Sequence, residues 1–125
     1  MLDYHLTNTG TDPLLWLWAS HPQFTVTAQI ELMLPPNVKA VINILDDTVL
    51  GDVHQRHSWP PTTRLDSSPL ALNRIGPASL HTYRKFYVSP DYRPDWAMMR
   101  KPKSGDWLRV DWDSEKIPIS WHLDR

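Results

Sequence analysis

Apolar and polar residues alternate with a period of two along most of the chain, which predicts strands throughout. Leu2, Tyr4 and Leu6 alternate with Asp3, His5 and Thr7, and the stretch closes on the turn residues Asn8-Thr9-Gly10. Residues 14–20, "LLWLWAS", are apolar on both faces, as in a strand buried between layers. Phe24, Val26, Ala28, Ile30, Leu32 and Leu34 hold one face of a long amphipathic strand that stops at Pro35-Pro36. Residues 38–45 read as its neighbour, with Asp46-Asp47 as the turn beyond.

Between residues 51 and 77 the pattern fades into prolines, histidines and hydroxyl side chains, which predicts a long connection with few regular elements. Alternation returns at 83–88, at 96–100, at Leu108, Val110 and Trp112, and at Ile117, Ile119, Trp121 and Leu123. "DSEK", residues 113–116, reads as a hairpin turn between the last two. The expected fold is therefore all-β: about nine short strands in one antiparallel sandwich domain spanning residues 1–125. The last strand reaches Arg125 without a stop signal, so a truncated sandwich is expected.

Composition sharpens this picture in three ways. Twelve prolines against four glycines disfavour long helices. Seven tryptophans supply core bulk or flat faces for sugar rings. The absence of cysteine excludes disulfides, thiolate metal sites and cysteine nucleophiles. A net charge of -1 lacks the basic footprint of a nucleic-acid binder. No apolar run is long enough for a membrane helix, and the N-terminus does not read as a signal peptide, so a cytoplasmic protein is expected.

Candidate chemistry centres on His21, which ends the most apolar segment and precedes Pro22. The proline confines His21 to extended backbone, a rigid mount for a titrating ring, although a hydrogen-bonded turn histidine fits the same pattern. Trp59 before Pro60-Pro61 reads either as a sugar-stacking face or as an anchor of its loop in the core. Lys85 reads as a cleft residue or as a solvated strand lysine. Asp52, His54 and His57 contain ligand types for zinc, but no regular scaffold holds them, and no metal is expected. Arg84, Arg93, Arg100, Lys101 and Lys103 are interrupted by Asp91, Asp95 and Asp106, which reads as a mixed solvated surface.

Residues 4–24, "YHLTNTGTDPLLWLWASHPQF", resemble the central segment of aldose 1-epimerase (galactose mutarotase-like) proteins. In that segment an L-x-N-x-G strand leads through an apolar strand to a histidine. "HSWPP", "RKFYV" and "DWLRVDWDSEKIPISWHLDR" resemble later pieces of the same superfamily, in the same order. The resemblance implies a β-supersandwich of which this chain is the central-to-late portion. It implies an aldose ligand, with His21 as general acid and Trp59 and Lys85 at the substrate. It also implies a glutamate base in a strand after Arg125. Mutarotation needs an acid at the ring oxygen and a base at the anomeric hydroxyl, and side chains supply both without a cofactor.

Two rivals remain: a non-catalytic sugar-binding module, with Trp59, Trp16 or Trp18 as stacking faces, and a module that pairs through its strand edges, as in a homo-oligomer. Within this chain Glu31 reads as a solvated mid-strand residue and Glu115 as a turn residue, so the acid lacks its base. In polarimetry on anomerically pure glucose and galactose, the chain alone should leave the rate at that of buffer. Clear acceleration would overturn this expectation.

Overall fold

The computed structural model describes residues 5–15, 24, 27–46, 48–81 and 83–116. Its regular elements are eight strands, all in antiparallel pairings, and a single 3-10 turn at Ala78–Leu80. The strands are β1 (Glu31–Met33), β2 (Ala40–Asn43), β3 (Arg56–Ser58), β4 (Pro61–Thr63), β5 (Pro69–Ala71), β6 (Phe86–Val88), β7 (Trp96–Arg100) and β8 (Trp107–Asp111). They form two three-stranded sheets, β1-β7-β8 and β3-β2-β6, and the hairpin β4-β5. The expected all-β, antiparallel character is present. Among the described residues, no helix is long and apolar enough to cross a membrane.

Apolar residues from both larger sheets and from the β3–β5 region meet in one cluster. It contains Ile30 and Leu32 around β1, Val38 and Val41 around β2, Phe86 and Val88 of β6, and Leu50, Trp59 and Leu72. Removing these side chains from water is the main stabilising contribution to the arrangement.

β2 is the central strand of its sheet. Val41 lies opposite His57 on one side and Val88 on the other. At its end, Asn43 is 2% exposed. Its backbone N–H donates to the Gln55 carbonyl (3.1 Å), and its carbonyl accepts from the His54 N–H (2.7 Å). Its side-chain Nδ2 donates to the carbonyls of Asp52 (2.7 Å), Gly51 (3.2 Å) and Leu45 (3.4 Å). Three carbonyl acceptors require the nitrogen, not the oxygen, of the amide to face the turn. Gly51 sits within this turn at φ +94°, where an L side chain would be strained.

Several expectations are corrected. Of the long strand expected over residues 24–34, the described residues form a strand only at Glu31–Met33, because a turn occupies Ala28 and Gln29, with Gln29 at φ +73°. Ile30 and Leu32 keep the buried phase, whereas Phe24 and Ala28 are exposed. Its neighbours are also different. β1 pairs with β7 on one side, and on the other Leu32 N–H donates to the Asn73 carbonyl (2.8 Å) and Ile75 N–H to the Ile30 carbonyl (3.0 Å). β2 pairs instead with β3 and β6.

The supposed long connection over residues 51–77 holds three strands and two core residues, Trp59 and Leu72. Its prolines concealed them: Pro61 and Pro69 open β4 and β5, first positions where a strand tolerates a missing N–H. The strand expected at 83–88 shortens to Phe86–Val88. Residues 5–7 are exposed and outside any strand, as are Leu14 and Leu15. The remainder of the strands expected at 2–7 and 14–20, and all of that at 117–124, lie outside the described residues.

Replacing Asn43 by Asp would aim a carboxylate at carbonyl oxygens in a buried turn. Asn43→Asp should cost about 3 kcal/mol or more at neutral pH, read from urea denaturation. The misplaced carboxyl's pKa would be raised on folding, so the deficit should shrink as pH falls into the carboxylic range. A wild-type urea midpoint at neutral pH would refute this role.

Candidate binding groove

Alternation along the β7–β8 hairpin separates two faces. Leu32, Ala97, Met99, Leu108 and Val110 share one, and Glu31, Trp96, Met98, Arg100, Trp107, Arg109 and Asp111 share the other, as the registers require. On the polar face Glu31 is held twice. Its Oε1 takes Arg74 Nη2 at 3.1 Å, and its Oε2 takes Arg100 Nη2 at 2.5 Å and Nε at 3.1 Å. The Glu31 side chain is only 13% exposed. The expected solvated glutamate is therefore a largely buried anchor between two guanidiniums. Farther along, Arg109 lies 4.6 Å from the centre of the Trp96 ring and bonds Asp111 Oδ1 through Nε (2.8 Å) and Nη2 (2.6 Å).

At the loop end of this hairpin, Phe24, Ile30, Met99 and Leu108 meet Arg100, Lys101, Asp106 and Trp107 around a groove of about 240 Å³. Trp107 is 66% exposed and Leu108 42% exposed. The hairpin loop is fastened by Lys101 N–H to the Asp106 carbonyl (2.8 Å) and Gly105 N–H to the Lys101 carbonyl (2.9 Å), with Gly105 at φ +79°. Asp106 accepts from the Ser104 hydroxyl at 2.7 Å. A lining that combines apolar residues, an exposed tryptophan and several charged groups suits a ligand with one apolar face and many hydroxyls.

The residues singled out by sequence do not gather here. His21, Trp16 and Trp18 lie outside the described residues. Trp59 is 6% exposed and belongs to the core cluster, so its indole anchors the chain between β3 and β4. Its backbone N–H donates to the Lys39 carbonyl (2.8 Å), and its bond to Pro60 is cis. Lys85 is half-buried just before β6, where its carbonyl accepts from the Ile44 N–H (3.0 Å).

Asp52 lends its carbonyl to Asn43. His54 is an exposed turn residue at φ +67°, and His57 is buried on β3. Among the described residues, no three His, Asp or Glu side chains converge as metal ligands would.

A different ionic pair ties β3 to the segment after β6. Arg56 Nη1 bonds Asp91 Oδ2 at 2.5 Å and Ser89 Oγ at 2.7 Å. The Arg56 and Ser89 hydrogen bonds hold the Asp91 carboxyl below the usual carboxylate range.

Sequence reasoning missed Trp107. Its signal was phase: Leu108 and Val110 carry the apolar alternation, while Trp107 shares the polar phase of Arg109 and Asp111. A tryptophan on that phase is directed away from the core. No protein-family model, curated protein or solved structure matches this chain.

Proposed function

We propose that this chain is a carbohydrate-binding β module whose ligand lies in the groove at the end of the β7–β8 hairpin. The observation that carries the reading is a groove whose lining joins the exposed Trp107 to apolar Phe24, Ile30, Met99 and Leu108 and to charged Arg100, Lys101 and Asp106. The C–H face of a sugar ring stacks on such an indole, and its hydroxyls take hydrogen bonds from neighbouring polar side chains.

The mutarotase-like resemblance supports the same ligand class. The finer fold reading belongs to this proposal: a sandwich in which the β1-β7-β8 and β3-β2-β6 sheets face each other, supported by the core they share. Binding without catalysis is the better-supported form. Glu31 is engaged by Arg74 and Arg100 and is not free to act as a base.

The reading is tested by titrating the chain with methyl β-glucoside, methyl β-galactoside and methyl β-glucuronide, with calorimetry as readout. At least one should bind, and Trp107→Ala should weaken it by about tenfold or more, a loss of about 1.4 kcal/mol. The substitution removes a largely exposed side chain, so thermal stability should stay near wild type. Absence of binding to all three, or binding unaffected by the substitution, would refute the reading.

A second reading, association through a strand edge, is favoured by the outer side of β8. The bonds Lys101 N–H to Asp106 and Trp112 N–H to Asp95 bracket the hairpin and assign Leu108 and Val110 to the bonded pairs. The backbone groups of Trp107, Arg109 and Asp111 therefore point away from β7, and among the described residues no backbone partner meets them. Two β8 strands placed antiparallel about Val110 would set Arg109 of each opposite Asp111 of the other. Light scattering should then detect a concentration-dependent dimer. Asp111→Arg should dissociate it, and adding Arg109→Asp should restore it. A wild-type monomer at all concentrations would exclude this pairing.

A further inference from the structure

The groove continues beyond Trp107. A second depression of about 130 Å³, lined by Thr27, Gln29, Pro102, Lys103 and Ser104 among others, shares Ile30 and Lys101 with the first. Trp107 lines only the first depression, and residues 102–104 line only the second. The charges along the groove are unequal. Arg100 is engaged by Glu31, and Asp106 is engaged by the Ser104 hydroxyl. Lys101 and Lys103 are exposed, and neither ammonium has an ion-pair partner among the described residues. The backbone N–H groups of Lys103 and Ser104 likewise have no acceptor among them. With Arg100 paired to Glu31, two ammoniums face one carboxylate, Asp106, along this surface, which leaves it net positive.

We infer that the groove takes an acidic sugar, with the ring on Trp107 and its carboxylate or sulfate at the Lys101–Lys103 end. This inference rests on the carbohydrate-binding reading and specifies its ligand class. Ammonium groups and free backbone N–H donors both recognise an anion, and the apolar floor with Trp107 recognises the ring that carries it. Sugar and anion are each bound weakly at an exposed surface, and joining them in one molecule makes the two contributions act together.

The test compares methyl β-glucuronide, methyl β-glucoside and sodium sulfate by calorimetry on the full chain at low ionic strength. The glucuronide should bind about tenfold more tightly than the glucoside, and the advantage should shrink as salt is added. The double variant Lys101→Gln, Lys103→Gln should bring the glucuronide down to the affinity that the same variant shows for the glucoside. An unaltered thermal midpoint checks that this variant is folded.

Equal affinity for the two glycosides, or a glucuronide preference that survives the double variant, would overturn the inference and leave the carbohydrate-binding reading standing. Sulfate bound as tightly as the glucuronide would mean an adventitious ion only and would also overturn it. Failure of both glycosides and the galactoside would remove the carbohydrate-binding reading itself.

Discussion

One side-chain amide joins the central strand to the connection that leaves it. Asn43 ends β2, and its Nδ2 gathers the carbonyls of Leu45, Gly51 and Asp52 while its backbone bonds Gln55 and His54. The buried amide nitrogen is satisfied only when the turn closes around it, whereas Oδ1 of the same side chain is buried with no partner among the described residues. Closing it sets Leu50 in the core and starts β3 beside β2. Once β3 is in place, Trp59 follows into the same cluster, and Leu72 N–H reaches the Pro60 carbonyl (3.0 Å). The order of the β3-β2-β6 sheet and the position of the β4-β5 hairpin thus follow from how one connection satisfies its polar groups.

The other sheet has a different anchor. Glu31 sits between Arg74 and Arg100, which links the residue 73–75 segment, β1 and β7 across their edges. A carboxylate so shielded would be costly to bury alone and is tolerated because two guanidiniums meet it. The clamp engages Arg100 at the groove rim and holds β7 where the β7–β8 loop begins, so the 102–104 turn projects from a fixed support. Rigid strands below and a short exposed loop above are a common arrangement for a binding surface.

Much of the local structure was legible in the residues. The alternation at Trp96–Arg100 and around Leu108 and Val110 marks β7 and β8, the 113–116 turn follows from "DSEK", and the burial phase of Ile30 and Leu32 is the one their spacing requires. Strand extent was less legible. A period of two says which face a residue would occupy in a strand, not whether the backbone stays extended, and Gln29 turns it. The prolines at 61 and 69 read as breakers because their effect depends on whether a neighbour needs an N–H at that position, which proline lacks. At strand starts it does not.

The candidate site was legible only in its chemistry. Tryptophans as sugar faces are an inference from composition, but which tryptophan is exposed depends on tertiary packing. Trp59, chosen for its prolines, is buried in the core cluster, and Trp107, overlooked, stands open. By itself the sequence determined the all-β antiparallel character and the phase of the best strands, because side-chain alternation is a property of neighbouring residues. Pairing, sheet order and the choice between a buried and an exposed indole were decided only by the tertiary structure. Each depends on contacts between residues distant in sequence, where hydrogen-bond satisfaction and apolar burial select one arrangement among many with the same local pattern.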